Sequence, residues 1–168
     1  GHSERDVLDI NNNTSLGLAG RALNRENYVV LVETLQELAT RLAIGDPLEV
    51  PAVIVFAGPT QELLPIDQNA LLEYARSGGS ILFMLEPFDT PDSFKQFLSR
   101  YAVAVGEGEA ADRASYVGGN ETFIQVKKSN QQLPPHPVTN DFEVLYMPGV
   151  THFGWTIDPL AVPLVDDI

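Results

Sequence analysis

The apolar and polar positions of residues 53–87 fall into three successive patterns. Val53-Ile54-Val55-Phe56-Ala57 is apolar without interruption, the pattern of a strand buried on both faces. Gly58-Pro59 ends the run. Leu71, Leu72 and Ala75 then recur at helical spacing among Gln68, Asn69, Glu73 and Arg76, and Gly78-Gly79 stops that helix. Ile81-Leu82-Phe83-Met84-Leu85 is a second unbroken apolar run, closed by Glu86-Pro87. Strand, helix and strand in this order predict a βαβ unit, which requires a parallel strand pair.

The flanking sequence predicts further elements. Residues 1–14 read as a polar loop. Ser15 is placed as the N-cap of a short helix to about Asn24, with Leu16, Ala19 and Leu23 on one face. Residues 28–32, Tyr-Val-Val-Leu-Val, read as a strand, and Leu35, Leu38, Ala39 and Leu42 as a second helix stopped by Gly45-Asp46-Pro47. Thr90-Pro91-Asp92 starts a further helix with Phe94, Phe97, Leu98 and Tyr101 as its buried face, and residues 101–105 form a short strand. After Gly106 the helical period disappears. Short apolar pieces at 115–117, 123–126 and 144–147 predict antiparallel strands packed on the sheet edge, and residues 155–163, interrupted by Pro159 and Pro163, an edge strand or broken terminus. The expected organisation is one α/β domain over 1–168, with a parallel core at 1–105 and a strand-and-loop extension at 106–168.

Composition narrows the functional classes. The chain has 168 residues, enough for one domain with a substantial core. Its 23 acidic and 10 basic residues give a net charge of −13, shared between the halves: residues 1–84 hold 11 acids and 5 bases. Such a surface repels phosphate backbones and anionic lipid, which excludes nucleic acid as the expected partner. Cysteine is absent, which removes thiol nucleophiles, disulfides and thiolate metal sites. No apolar run reaches the ~20 residues that cross a bilayer. The chain begins at Gly1-His2-Ser3 without methionine and reads as a piece of a longer protein, with Gly1-His2 either native or left from a tag.

The sequence offers little recognisable catalytic chemistry. Residues 106–111, Gly-Glu-Gly-Glu-Ala-Ala, imitate a dinucleotide fingerprint, but two glutamates in the loop would repel a pyrophosphate and no amphipathic helix follows. Asp9, Asn11 and Asn13 imitate an EF-hand start, but Thr14 replaces the required glycine and Gly20 the bidentate glutamate. No G-x-S-x-G occurs, and His2, His136 and His152 keep no metal-ligand spacing. The expected metal and cofactor content is none. Asn12, Asn13 and Asn120 match the short glycosylation pattern. Glu86, Asp89 and Asp92 cluster after a strand end, the rim where open parallel sheets place ligands; helix capping and solvation also explain them.

Several motifs, in order, resemble the extracytoplasmic domain of the gliding-motility-type auxiliary component of ABC transport systems. They are Gly1-His2-Ser3-Glu4, Tyr28-Val29-Val30, residues 52–56 ending in Ala57-Gly58-Pro59, residues 72–80 leading into 81–85, and His136-Pro137-Val138-Thr139. The resemblance covers most of residues 1–150. It implies a flavodoxin-like, class I glutamine-amidotransferase-like α/β fold, a parallel sheet with helices on both faces, and a first strand leading into the Gly-His-x-Glu segment. It also implies scaffolding or sugar binding rather than catalysis. In catalytic amidotransferases a cysteine occupies the position matching Glu86, and Pro87 lacks the N–H and helical freedom that an oxyanion-forming elbow requires.

The expected function is therefore non-catalytic binding within an extracytoplasmic, membrane-anchored subunit, with transporter membrane and ATPase subunits as partners and a glycan or protein as a further ligand. The expected ligand- or partner-binding set at the strand rim is Glu4, Gly58, Pro59, Glu86 and Asp89. Two alternatives stand beside it. One is a carboxylate hydrolase using Glu86 with Asp89 or Asp92, and the other is a purely structural dimerisation module.

Overall fold

The computed structural model describes residues 2–12, 14–45, 50–130, 133, 135–137 and 139–155. They belong to two compact units, the first formed by Gly1–Leu85 with Asp89–Phe97 and the second by Glu86–Phe88 with Leu98–Ile168.

The first unit begins with helices α1 (Gly17–Arg25) and α2 (Leu35–Ile44). Helix α1 turns a face unlike the expected one toward its neighbour: Gly17 and Gly20 are buried, whereas Leu18 and Leu23 are exposed. A Cβ on Gly17 would collide with the Asp9 carbonyl, so glycine is what lets the helix lie against the backbone of the preceding loop. Ser15 does not cap it. Leu16 holds that position, and the Ser15 hydroxyl instead lies on the carbonyl oxygens of Asp9 and Asn12. Helix α2 starts with a capping box. The Glu37 amide donates to Thr34 Oγ1 (3.2 Å) and the Thr34 amide to Glu37 Oε2 (2.7 Å). It ends at Gly45 with φ 73°, the left-handed stop expected there, while Asp46 and Pro47 lie outside the described residues.

Residues 53–85 form the predicted βαβ unit: β1 (Val53–Ala57), α3 (Pro65–Arg76) and β2 (Ser80–Met84). The strands pair in parallel, Ile54 opposite Ile81 and Phe56 opposite Phe83. Tyr74 of α3 is fully buried, and its hydroxyl lies 2.9 Å from the Pro51 carbonyl oxygen and 3.2 Å from that of Ser80. Burial raises the pKa of this phenol. Gly79 is fixed by the same ring, since a Cβ there would overlap it. Helix α4 (Asp92–Ser99) presents Phe94, Phe97 and Leu98 as its buried face, as its spacing predicts.

The expectation of a flavodoxin-like parallel sheet with helices on both faces is overturned. The parallel sheet has two strands, β1 and β2; every other pairing among the described residues is antiparallel. Residues 28–32 form no strand, and Tyr28, Val29, Leu31 and Val32 stand exposed. An apolar run forms a stable strand only where a neighbouring strand takes its backbone bonds, and this one pairs with no strand among the described residues. Nor are β1 and β2 buried on both sides. Val53, Val55, Leu82 and Met84 on one face are 53, 47, 50 and 43% exposed.

In the second unit, β3 (Val103–Val105) pairs antiparallel with β7 (Phe153–Trp155), and β4 (Tyr116–Val117), β5 (Asn120–Lys127) and β6 (Val144–Pro148) form an antiparallel sheet. Gly118-Gly119, both at positive φ, join β4 to β5 in a turn too short for a parallel connection. The antiparallel character expected of this half is therefore present. Residues 156–163, expected to hold an edge strand or broken terminus, lie outside the described residues. No helix among the described residues is long and apolar enough to cross a membrane.

Candidate functional site at the end of the first strand

The segment after Gly1 crosses the carboxyl end of β1 and is bonded to it at both sides. The Arg5 amide donates to the Ala57 carbonyl (2.8 Å), and the amides of Thr60 and Gln61 donate to the His2 carbonyl (3.0 and 3.1 Å). Ser3 between them has φ 54°, a conformation unusual for a non-glycine residue and held here by the bonds on either side. The turn itself, Gly58 at φ 62° followed by Pro59, is buried. Glu4, Gly58 and Pro59 are thus brought together at the rim where the sequence places them.

His2 organises this rim. It is buried, its Nδ1 lying 3.3 Å from Glu4 Oε1 and its Nε2 3.3 Å from Asp67 Oδ2. Its amide also donates to Glu4 Oε2 (2.7 Å). The ring packs edge-on against Phe56 (6.0 Å) and Phe94 (5.8 Å). Asp67, in the first turn of α3, accepts a further bond from the Leu64 amide (3.1 Å), as an acid at that helical position does. His2 is therefore packed into the fold. The two carboxylates lie at opposite edges of one imidazole, so the three groups do not converge on a common point. No cluster of three or more His, Cys, Asp or Glu able to hold a metal exists among the described residues.

The loop leaving β1 is tied to α4. Ser93 Oγ accepts from the Leu63 amide (2.7 Å), and Glu62 Oε2 accepts from the Ser93 amide (2.9 Å). These bonds to Ser93 hold the Glu62 carboxyl below its ordinary range. Asp89 is exposed in the first unit, and Glu86 is half-buried in the second. A cavity of about 430 Å³ lies between α2 and α3, lined by Leu35, Ala39, Ala43 and Ile66, with Asp67 at its border. None of the five rim residues named from the sequence lines it.

His2 and Asp67 are what sequence reasoning missed. Asp67 had a legible signal, an acid in the first turn of a helix opened by Pro65. His2 had none, because only the fold brings it to Asp67 across 65 residues. Chemically, the arrangement binds its own carboxylates and clamps a loop.

No family model matches the chain, and no curated protein matches it in sequence. Four solved chains match in structure. One is described as "mmIFT52 N-terminal domain", with a TM-score of 0.58 and 20% sequence identity over 82% of this chain. The chain spans 64% of the length of that neighbour. At this identity the likeness concerns the fold alone.

Proposed function

We propose that this chain is a non-catalytic binding domain. In its parent protein it serves as the extracytoplasmic, membrane-anchored part of an ABC-transport auxiliary subunit of the gliding-motility type, and its partners are the transporter's membrane and ATPase subunits. The observation that supports binding over catalysis is the use made of the rim: His2 has a carboxylate at each ring nitrogen, and Gly58 and Pro59 are buried beneath the crossing segment. A catalytic rim needs a nucleophile or base directed at substrate, with its partner oriented behind it. Here the base is held between two acids within the fold. The transporter assignment is supported by the ordered motifs from Gly1-His2-Ser3-Glu4 to His136-Pro137-Val138-Thr139.

The test is recovery of the affinity-tagged full-length protein from native membranes in mild detergent. Transporter membrane and ATPase subunits in fixed stoichiometry are the expected outcome. Hydrolysis of ester or glycoside substrates that disappears in Glu86→Gln would replace this reading with the hydrolase.

A further inference from the structure

Leu35, Ala39 and Ala43 follow one another at single-turn spacing on α2, and with Ile66 from the first turn of α3 they line the cavity between the two helices. Alanine at two successive turns leaves open the space that larger side chains would fill. The resulting volume of about 430 Å³ lies in the range of small-molecule sites, about 300–1,000 Å³. The polar members of the wall are Gln36, Thr40 and Asp67. The Thr40 hydroxyl already donates to the Gln36 carbonyl (2.9 Å). Asp67, the one charged lining residue, is only partly used. Its side chain is 10% exposed, and its contacts with His2 and with the Leu64 amide both fall on Oδ2. Oδ1 has no hydrogen-bond partner among the described residues, and it is not sealed from solvent. The cavity therefore joins an apolar wall to a nine-tenths buried carboxylate with one oxygen left to accept.

We propose that this cavity binds a small organic cation, a protonated amine carried on an apolar body. Leu35, Ala39, Ala43 and Ile66 take the body, and Asp67 Oδ1 accepts from the ammonium in a charge-assisted bond. The groups at this corner fix the sign of the charge. Asp67 stands in the first turn of α3, whose N-terminus carries about half a positive charge. Glu4 and Asp67, with one imidazole between them, outweigh that half-charge whether or not His2 is protonated. An anion would meet Asp67 with like charge, and a neutral apolar molecule would bring Oδ1 no donor. Every lining residue lies between positions 35 and 67, within the first unit. None of the rim residues named for partner binding is among them, and nothing in the site depends on the transporter reading.

The experiment titrates the 168-residue chain with tryptamine, an ammonium on an indole, and follows the backbone amide shifts of α2 and α3 by NMR. Indolepropionate, the anionic counterpart, is titrated in parallel. Saturable shifts at Ala39, Ala43 and Asp67 are expected with tryptamine, at an affinity about tenfold or more above that of indolepropionate. Ala39→Leu fills the cavity without touching Asp67 and is expected to abolish the shifts at Ala43 and Asp67 while the melting temperature is kept. Asp67→Asn keeps the shape and removes the charge, and is expected to weaken tryptamine by about tenfold. Where losing the carboxylate unfolds the chain, the two indoles and Ala39→Leu decide alone. No saturable shift with tryptamine, equal affinities for the two indoles, or binding that survives Ala39→Leu overturns the proposal. Shifts at the same amides that grow with protein concentration before any amine is added also overturn it, in favour of a second copy.

Discussion

The two faces of the β1–β2 sheet have nearly the same composition and different fates. On the inner face Phe56 stacks on Phe83 (5.3 Å), and Phe94 from α4 meets both rings edge-on at 5.3 and 6.1 Å. On the outer face Val53, Val55, Leu82 and Met84 stay about half in water. Hydrophobicity does not distinguish them, since all ten positions of the pair are apolar except Ser80. What distinguishes them is the βα crossover. A right-handed connection lays its helix on one side of the pair, and covering the other side requires a further element. Among the described residues the pair is covered on one side only.

The difference can be broken most severely at Phe56→Ala. It removes a ring that packs against Phe83, Phe94 and His2, and a loss of about 3–5 kcal/mol is expected, read by urea denaturation with a probe in the first unit. A loss below about 1 kcal/mol would mean that the inner face is not the core. His2→Ala comes next. It leaves Glu4 and Asp67 without their shared partner and is expected to cost about 1–3 kcal/mol. A melting temperature equal to wild type would show that these contacts contribute no stability.

Acidification gives a smaller, directional effect. The bonds from Ser93 hold Glu62 below its ordinary value near 4.5, so the folded chain binds this proton less readily than the unfolded chain. The resulting stabilisation is present above the unfolded pKa and is lost as pH falls through the folded one. Between neutral pH and about pH 3, wild type is expected to lose melting temperature more steeply than Glu62→Gln; parallel curves would remove Glu62 from the account. The smallest effect belongs to the outer face. Val55→Thr keeps the β-branch on a half-exposed strand and is expected to change stability by no more than about 0.5 kcal/mol in the same urea titration. A larger loss would show this face to be covered.

What was legible in the sequence follows the same division. The βαβ unit, the stop of α2 at Gly45, the buried face of α4 and the antiparallel second half were all readable, because local periodicity and turn chemistry specify them. The apolar run at residues 28–32 misled because periodicity reports what a segment is able to bury, not whether a neighbouring strand receives it. The larger parallel sheet inferred from the family likeness failed at the same point. At the rim, Glu4, Gly58 and Pro59 are legible as strand-end residues, while the histidine that bonds Glu4 and Asp67 reads in the sequence as a terminal loop residue. Its partner lies 65 positions away, beyond the reach of any spacing rule.

The claim that β1 has one satisfied edge and one open edge is tested most directly by amide hydrogen exchange along that strand in the protein alone. Ile54 and Phe56, bonded to β2, are expected to be strongly protected, and Val53 and Val55 to exchange at rates close to those of an unpaired backbone. Equal protection at all four amides would contradict the account, because the outer edge would then already be paired.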